Sequence, residues 1–210
     1  MKICVLSDSH MQHRDILFPE KYDVLIHAGD ALGHGTLEEL KDFADWFNLQ
    51  KGLKILIGGN HCGVMEKLGS EAVNEYFPEA VYLQDQGFTL PNGMLIYGSP
   101  YTLAFNNWFF QLDPEDAKAH WAKIPNNVDI LVTHGPAFDH LDYVAGVGSL
   151  GDKELLKRIE EVKPSYHVFG HLHRDKGQRR IISDNNITYI NAGLLDNNYR
   201  MIHEPIYFEV

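Results

Sequence analysis

Short hydrophobic runs recur along the chain, and several of them break off into polar clusters of one character. Ile3-Cys4-Val5-Leu6 runs into Ser7-Asp8-Ser9-His10, and Val24-Leu25-Ile26-His27 leads to Gly29-Asp30. Ile55-Leu56-Ile57 precedes Gly59-Asn60-His61, and Ile130-Leu131-Val132 precedes Thr133-His134-Gly135-Pro136. The last run, His167-Val168-Phe169, ends in Gly170-His171-Leu172-His173. Short apolar runs bounded by turn residues predict buried strands. A cluster at each exit puts polar side chains on loops along one rim of a sheet, where open α/β folds build their sites.

Helical spacing appears between these runs. Thr36 with Glu39 forms a capping-box signature, after which Leu37, Leu40, Phe43, Ala44 and Phe47 share one face. A second helix is expected over Glu66–Tyr76, ending before Pro78. Asp113-Pro114 marks a third start with a capping acid, and Asp152 a fourth that continues through Leu155, Leu156 and Ile159. Asn92-Gly93 between Phe88–Leu90 and Met94–Tyr97 predicts a hairpin, with Pro91 leaving its turn type open. Closing strands are expected near Gln178–Ile182, Ile187–Ile190 and Ile206–Val210. The pattern predicts an α/β fold of the four-layer α+β type over residues 1–210 as a single domain: two facing mixed β-sheets forming a sandwich flanked by helices.

Composition narrows the partners. The 210 residues carry a net charge of -11, leaving no basic stripe for general nucleic-acid binding. The densest positive stretch, Arg174 to Arg180, reads as a solvated loop. No run of 18 apolar residues suggests a membrane span, and Lys2 enters a core strand at once, so no leader is expected. Cys4 in a strand and Cys62 in a loop do not suggest a structural disulfide, which fits a reducing, cytoplasmic compartment.

The clusters hold metal-binding chemistry. Residues two apart on extended chain point the same way, so Asp8 and His10 can approach one ion together. His171 and His173 can reach two neighbouring ions or clamp one. Asp30 suits a carboxylate bridge, Asn60 offers a carbonyl oxygen and His134 an imidazole. Oxygen and nitrogen donors without thiolate favour a catalytic dinuclear centre over a structural zinc cage. Two divalent cations against Asp8 and Asp30 leave +2, or +1 with a bridging hydroxide, enough to attract a phosphate ester despite the acidic surface. His61, beside Asn60 and not needed as a ligand, is the candidate general acid.

In this order Asp8-x-His10, Gly29-Asp30, Gly59-Asn60-His61, His134 and Gly170-His171-x-His173 resemble the calcineurin-like metallophosphoesterase superfamily. Asp23 to Asp30, Ile96 to Pro100, Phe105 to Trp108 and His167 to Gly170 are similar to its metallophosphoesterase-domain-containing subfamily, related to class III cyclic-nucleotide phosphodiesterases. The resemblance implies that Asp8, His10, Asp30 and His173 hold one ion and that Asp30, Asn60, His134 and His171 hold the other. His61 then acts on the leaving group. Cys62 stands where many relatives have an acid, and Gly33 where protein phosphatases have the aspartate that supports the general acid. Some animal members carry glycine at the position of His171; this chain keeps the histidine.

The expectation is therefore a dinuclear metal-dependent phosphodiesterase acting on small phosphodiesters, with cyclic nucleotides among the candidates. Manganese is the first choice of metal, and iron, zinc, nickel or cobalt suit the same donors. A phosphomonoesterase or nuclease would use the same centre, and a scaffold that has lost chemistry is the reading from another class. His27 and His167 are expected as core or supporting groups. His13 and His34 are candidates to touch the substrate phosphate. The Phe105–Phe110 stretch, with Trp108, either walls the pocket or packs over the sheet edge.

Overall fold

A computed structural model describes residues 1–210. The chain opens with β1 (Lys2–Leu6), β2 (Val24–His27), α1 (Leu37–Asn48), β3 (Leu53–Leu56), α2 (Gly63–Tyr76) and β4 (Ala80–Tyr82). It continues with β5 (Gln86–Thr89), β6 (Leu95–Ser99), β7 (Thr102–Leu103), β8 (Gln111–Leu112), α3 (Pro114–Trp121) and β9 (Ile130–Thr133). Then come β10 (Tyr143–Val144), β11 (Gly148–Ser149), α4 (Lys153–Val162), β12 (Tyr166–Phe169), β13 (Ile181–Asp184), β14 (Ile187–Asn191) and β15 (Ile206–Glu209).

Two mixed sheets face each other. The first has the order β15-β1-β2-β3-β4 and the second β13-β14-β12-β9-β6-β5. In each, the central strands run parallel and antiparallel strands close an edge. Alternation along the strands sorts the core into three apolar layers. Ile3, Val5, Ile26, Ile130, Val132, Val168 and Ile190 meet between the sheets. Leu6 and Leu25 turn outward to Phe43, Phe47 and Phe77 beneath α1 and α2. Leu131, Phe169 and Tyr189 turn outward to Trp121, Leu155 and Ile159 beneath α3 and α4. A strand buried on both faces has no polar side to alternate with, which is why these segments read as unbroken apolar runs.

The Thr36–Glu39 box is present, with Thr36 Oγ1 accepting from Glu39 N and the Glu39 carboxylate accepting from Thr36 N. Asp152 caps α4 by accepting from Glu154 N and Leu155 N. Several local expectations need correction. Asp113 is the N-cap of α3, but its side chain accepts no capping hydrogen bond; Pro114 sets that start. α2 begins at Gly63 rather than Glu66 and contains a kink at Gly69, φ 79°. In the β5–β6 hairpin Gly93 N donates to Leu90 O, so Pro91 and Asn92 are the central turn residues and Gly93 follows at φ 91°. β13 begins at Ile181, three residues beyond the expected start, because Gln178 N instead closes a turn onto Asp175 O. Arg174 is buried rather than solvated, with Nη1 donating to Tyr143 O.

Candidate metal centre

The parallel strands β1, β2, β3, β9 and β12 all end at one rim, and the five polar clusters meet there. The sheets join at this rim: Ser7 N donates to Ala192 O and Leu194 N to Ser7 O, just past β1 and β14. Backbone amides of one loop are then held by carboxylates of another. His171 N donates to Asp8 at 3.0 Å, and His61 N donates to Asp30 Oδ1 at 2.8 Å. Asp8, His10, Asp30 and His171 all adopt left-handed backbone conformations, with φ between 38° and 67°. Such strain persists only where surrounding contacts enforce it, and it collects at functional sites.

Donor atoms converge in three overlapping groups, each within 4.8 Å: Asp8, His10 and His173; His10, Asp30 and His61; Asp30, His134 and His171. His10 joins the first group to the second and Asp30 joins the second to the third, so the three form one continuous cluster. Asn60 Oδ1 sits 3.0 Å from His134 Nε2 and 2.8 Å from His171 Nδ1, bringing it into the third group. All seven residues singled out as ligands from the sequence, Asp8, His10, Asp30, Asn60, His134, His171 and His173, therefore lie together.

Backbone carbonyls decide which nitrogen each imidazole presents. A carbonyl can only accept, so Nδ1 of His134 carries the proton it gives to Ala28 O at 3.0 Å. Nδ1 of His173 likewise donates to Asp196 O at 3.0 Å. In both rings Nε2 is left for the centre, the arrangement by which outer partners fix a metal-binding histidine. His10 is the clearest sign of an expected occupant: both its ring nitrogens are buried and have no hydrogen-bond partner. Buried polar atoms normally find one.

Electrostatics point the same way. Burial lowers the pKa of His10, and it pushes His171 down to about 3, so both are neutral with lone pairs available. Burial opposes charge on Asp30 and His134 too, but their mutual attraction prevails: the carboxylate pKa falls and the imidazole pKa rises. Without a cation, a proton on His134 offsets the Asp30 charge. Burial, with Asp30 nearby, pushes the Cys62 thiol up to about 12, so it remains a neutral thiol. The donors are thus carboxylate, amide oxygen and imidazole, a set that fits hard or borderline divalent cations.

His61 faces His10 at 4.6 Å between ring centroids and lies under Trp108 at 4.2 Å. Its Nδ1 donates to Gly33 O at 2.7 Å. The residue that departs from the protein-phosphatase pattern therefore orients His61 through its main chain instead of a carboxylate.

Other sequence candidates divide. His13 is fully buried against Phe43 and Trp46, with Nε2 3.3 Å from Asp42, so it presents no atom to a ligand at the centre. His34 is exposed and enters through its backbone N–H, which Glu39 holds. In the aromatic stretch Trp108 covers His61 and Phe105 lies 5.0 Å from His171, while Phe110 is core. Sequence reasoning missed Tyr199, whose ring lies 5.0 Å from His10 and 4.9 Å from His173. It comes 26 positions after His173 with no motif around it, so no local signal marks it.

Two β-sheets packed face to face beneath helices, with carboxylates and imidazoles gathered on one rim, are in keeping with a phosphoesterase. The calcineurin-like phosphoesterase family matches residues 1–175, and the chain belongs to that family. It is 35% identical over 234 residues to human metallophosphoesterase domain-containing protein 1, covering 99% of this chain and 70% of that protein. A UPF0046 protein of Caenorhabditis elegans is 31% identical over 224 residues, covering 100% of this chain and 75% of its own length. Among solved structures, TT1561 of Thermus thermophilus has a TM-score of 0.69 at 13% identity, over 91% of this chain and 88% of that one.

Proposed function

We propose that the protein is a phosphodiesterase that works with two divalent cations. Asp8, His10, Asp30 and His173 would hold one and Asp30, Asn60, His134 and His171 the other. The observation that supports this reading is the run of three overlapping donor groups linked through His10 and Asp30, with both nitrogens of His10 left unpartnered among them. When bound, the cations supply Lewis acidity, withdrawing charge from the phosphoryl oxygens and acidifying a water for attack at phosphorus. His61, whose Nδ1–H is committed to Gly33 O, would act as the imidazolium, giving its Nε2 proton to the departing ester oxygen and becoming neutral. Asp8 and Asp30 keep the loops of His171 and His61 in register through their amide contacts.

A diester is favoured over a monoester by charge. Trp108, Tyr199 and Phe105 pack against the histidines of the site, and these uncharged aromatic groups suit a monoanion better than the second charge of a monoester. Small diesters, cyclic nucleotides included, are the substrates this reading assigns, with manganese as the working metal. Residues 1–210 act in it as one catalytic domain, because β13, β14 and β15 complete the two sheets. The buried, unpaired Cys4 and Cys62 suit a cytoplasmic setting, and no helix is long and apolar enough to cross a membrane.

Manganese-loaded protein is expected to cleave bis(p-nitrophenyl) phosphate, with Asp30→Ala or Asn60→Ala nearly inactive and depleted in bound metal. Full activity in either variant overturns the donor assignment. Wild-type protein that takes up less than about one ion per chain in added manganese favours the scaffold reading.

A further inference from the structure

Beside the metal centre opens a cavity of about 760 Å³. Its wall on the centre side is His171, whose Nδ1 faces Asn60 Oδ1 at 2.8 Å. The rest is largely apolar: Leu103, Ala104, Phe105, Phe138, Leu150 and Leu172. Phe105 lies 5.0 Å from the His171 ring, and Phe105 and Leu150 keep 36% and 45% of their surface in solvent. Wetted apolar side chains in a concave site are the usual mark of a ligand pocket.

The charged groups along its edge are already engaged. The Asp152 carboxylate accepts from Trp121 Nε1, Glu154 N and Leu155 N. Glu154 pairs with Lys157, and the Lys153 ammonium lies over the Phe138 ring at 4.7 Å. A second phosphate or a carboxylate entering here would meet one cation, two acids and apolar walls. An aromatic ring would meet surfaces that gain from leaving water.

We propose that this cavity receives the organic arm of the phosphoester, and that the arm is uncharged and aromatic. The inference rests on the phosphodiesterase reading, since the phosphorus must sit at the donor groups for an arm to pass His171. It deepens that reading by assigning specificity to Phe105, Phe138 and Leu150, on the loops that follow β7, β9 and β11.

Phosphonates test it without a leaving group. Calorimetric titration of the manganese-loaded protein would compare (1-naphthylmethyl)phosphonate with methylphosphonate, alongside turnover of bis(p-nitrophenyl) phosphate. The naphthyl compound is expected to bind at least about tenfold more tightly, from burial of its apolar surface. In Phe105→Ala and Leu150→Asp, both at partly exposed positions, that ratio should shrink to about threefold or less. Equal or undetectable affinities in a protein that still cleaves the diester overturn the cavity assignment alone, as does a ratio unchanged in both variants. Absence of both phosphonate binding and diester cleavage overturns the metal-centre reading, and this inference with it.

Discussion

His61 and His134 stand on the same rim and differ in what their Nδ1 atoms meet and where Nε2 then points. His134 Nε2 lies 3.1 Å from Asp30 Oδ2, whereas His61 converges with His10 and Asp30 and lies tilted under Trp108, ring centroids 4.2 Å apart. This difference makes the proposed roles separable by leaving group. His61→Ala should lose on the order of 10²–10⁴-fold in rate on diesters that expel a basic alkoxide. Its loss on p-nitrophenyl esters should be much smaller, because p-nitrophenolate departs without a proton. Equal losses across a leaving-group series would remove His61 from the role of acid. Gly170 offers a second residue-scale test. A Cβ there would overlap Ser7 Oγ and Asp8 Oδ2, so Gly170→Ala must displace a donor. It should cost about 1–3 kcal/mol in urea unfolding and lower bound manganese. That these seven side chains would meet was legible in the sequence, because carboxylate, amide and imidazole groups recur at successive strand exits. The groups that aim them were not, since Ala28, Gly33 and Asp196 act through carbonyls that every residue possesses. His13 misled for the opposite reason: three positions from His10 in sequence, it turns into the layer under α1.

At the scale of elements, α1 serves both stability and the site. Glu39 accepts from Thr36 N as half of the capping box and also from His34 N at 2.9 Å, next to the Gly33 carbonyl that orients His61. Thr36→Ala removes one hydroxyl cap and should cost about 1 kcal/mol by urea unfolding, with turnover little changed. Glu39→Ala frees the loop at two amides. It should lower turnover on alkoxide-leaving diesters more than Thr36→Ala does at matched stability; equal turnover in the two variants would deny the loop this function. α1 could be read from sequence because its cap and its apolar stripe agree. The first turn of α2 could not, as Cys62 caps it without a side-chain hydrogen bond and Gly63 has low helix propensity. The ribbons β7–β8 and β10–β11 are two residues per strand, too short for any periodicity to register. Of these, β7 and β11 border the cavity beside His171 through Thr102, Leu103 and Ser149, so the cavity was the least legible part of the site.

On the scale of the whole molecule, the four layers could be foreseen because strands covered on both faces and helices apolar on one leave few ways to stack. The same layering buries two histidines at mirrored places. His27 lies on the outer face of β2 against Phe43, with Nε2 3.1 Å from Ser9 Oγ, beside the Asp8 and His10 donors. His167 lies on the outer face of β12 with Nε2 2.8 Å from Thr133 Oγ1, next to His134. Thr133 Oγ1 gives its proton to Gly135 O, so it accepts from His167 Nε2, and Nδ1 has no partner. Burial pushes both histidines down to about 3. In the unfolded chain each takes up a proton as pH falls through 6.5, the ordinary value. The folded chain does so only near 3, so between these limits the unfolded state binds more protons and stability drops as pH falls. Each histidine contributes a slope of about 1.4 kcal/mol per pH unit well inside that window. Chelator-treated protein unfolded in urea should therefore lose stability steadily from about pH 6.5 to about 4.5. His167→Gln, which keeps a donor near Thr133, should remove one histidine's share of the slope. A variant slope equal to wild type would mean that His167 is already protonated in the folded chain, and then it could not support the His134 loop in the manner its geometry assigns.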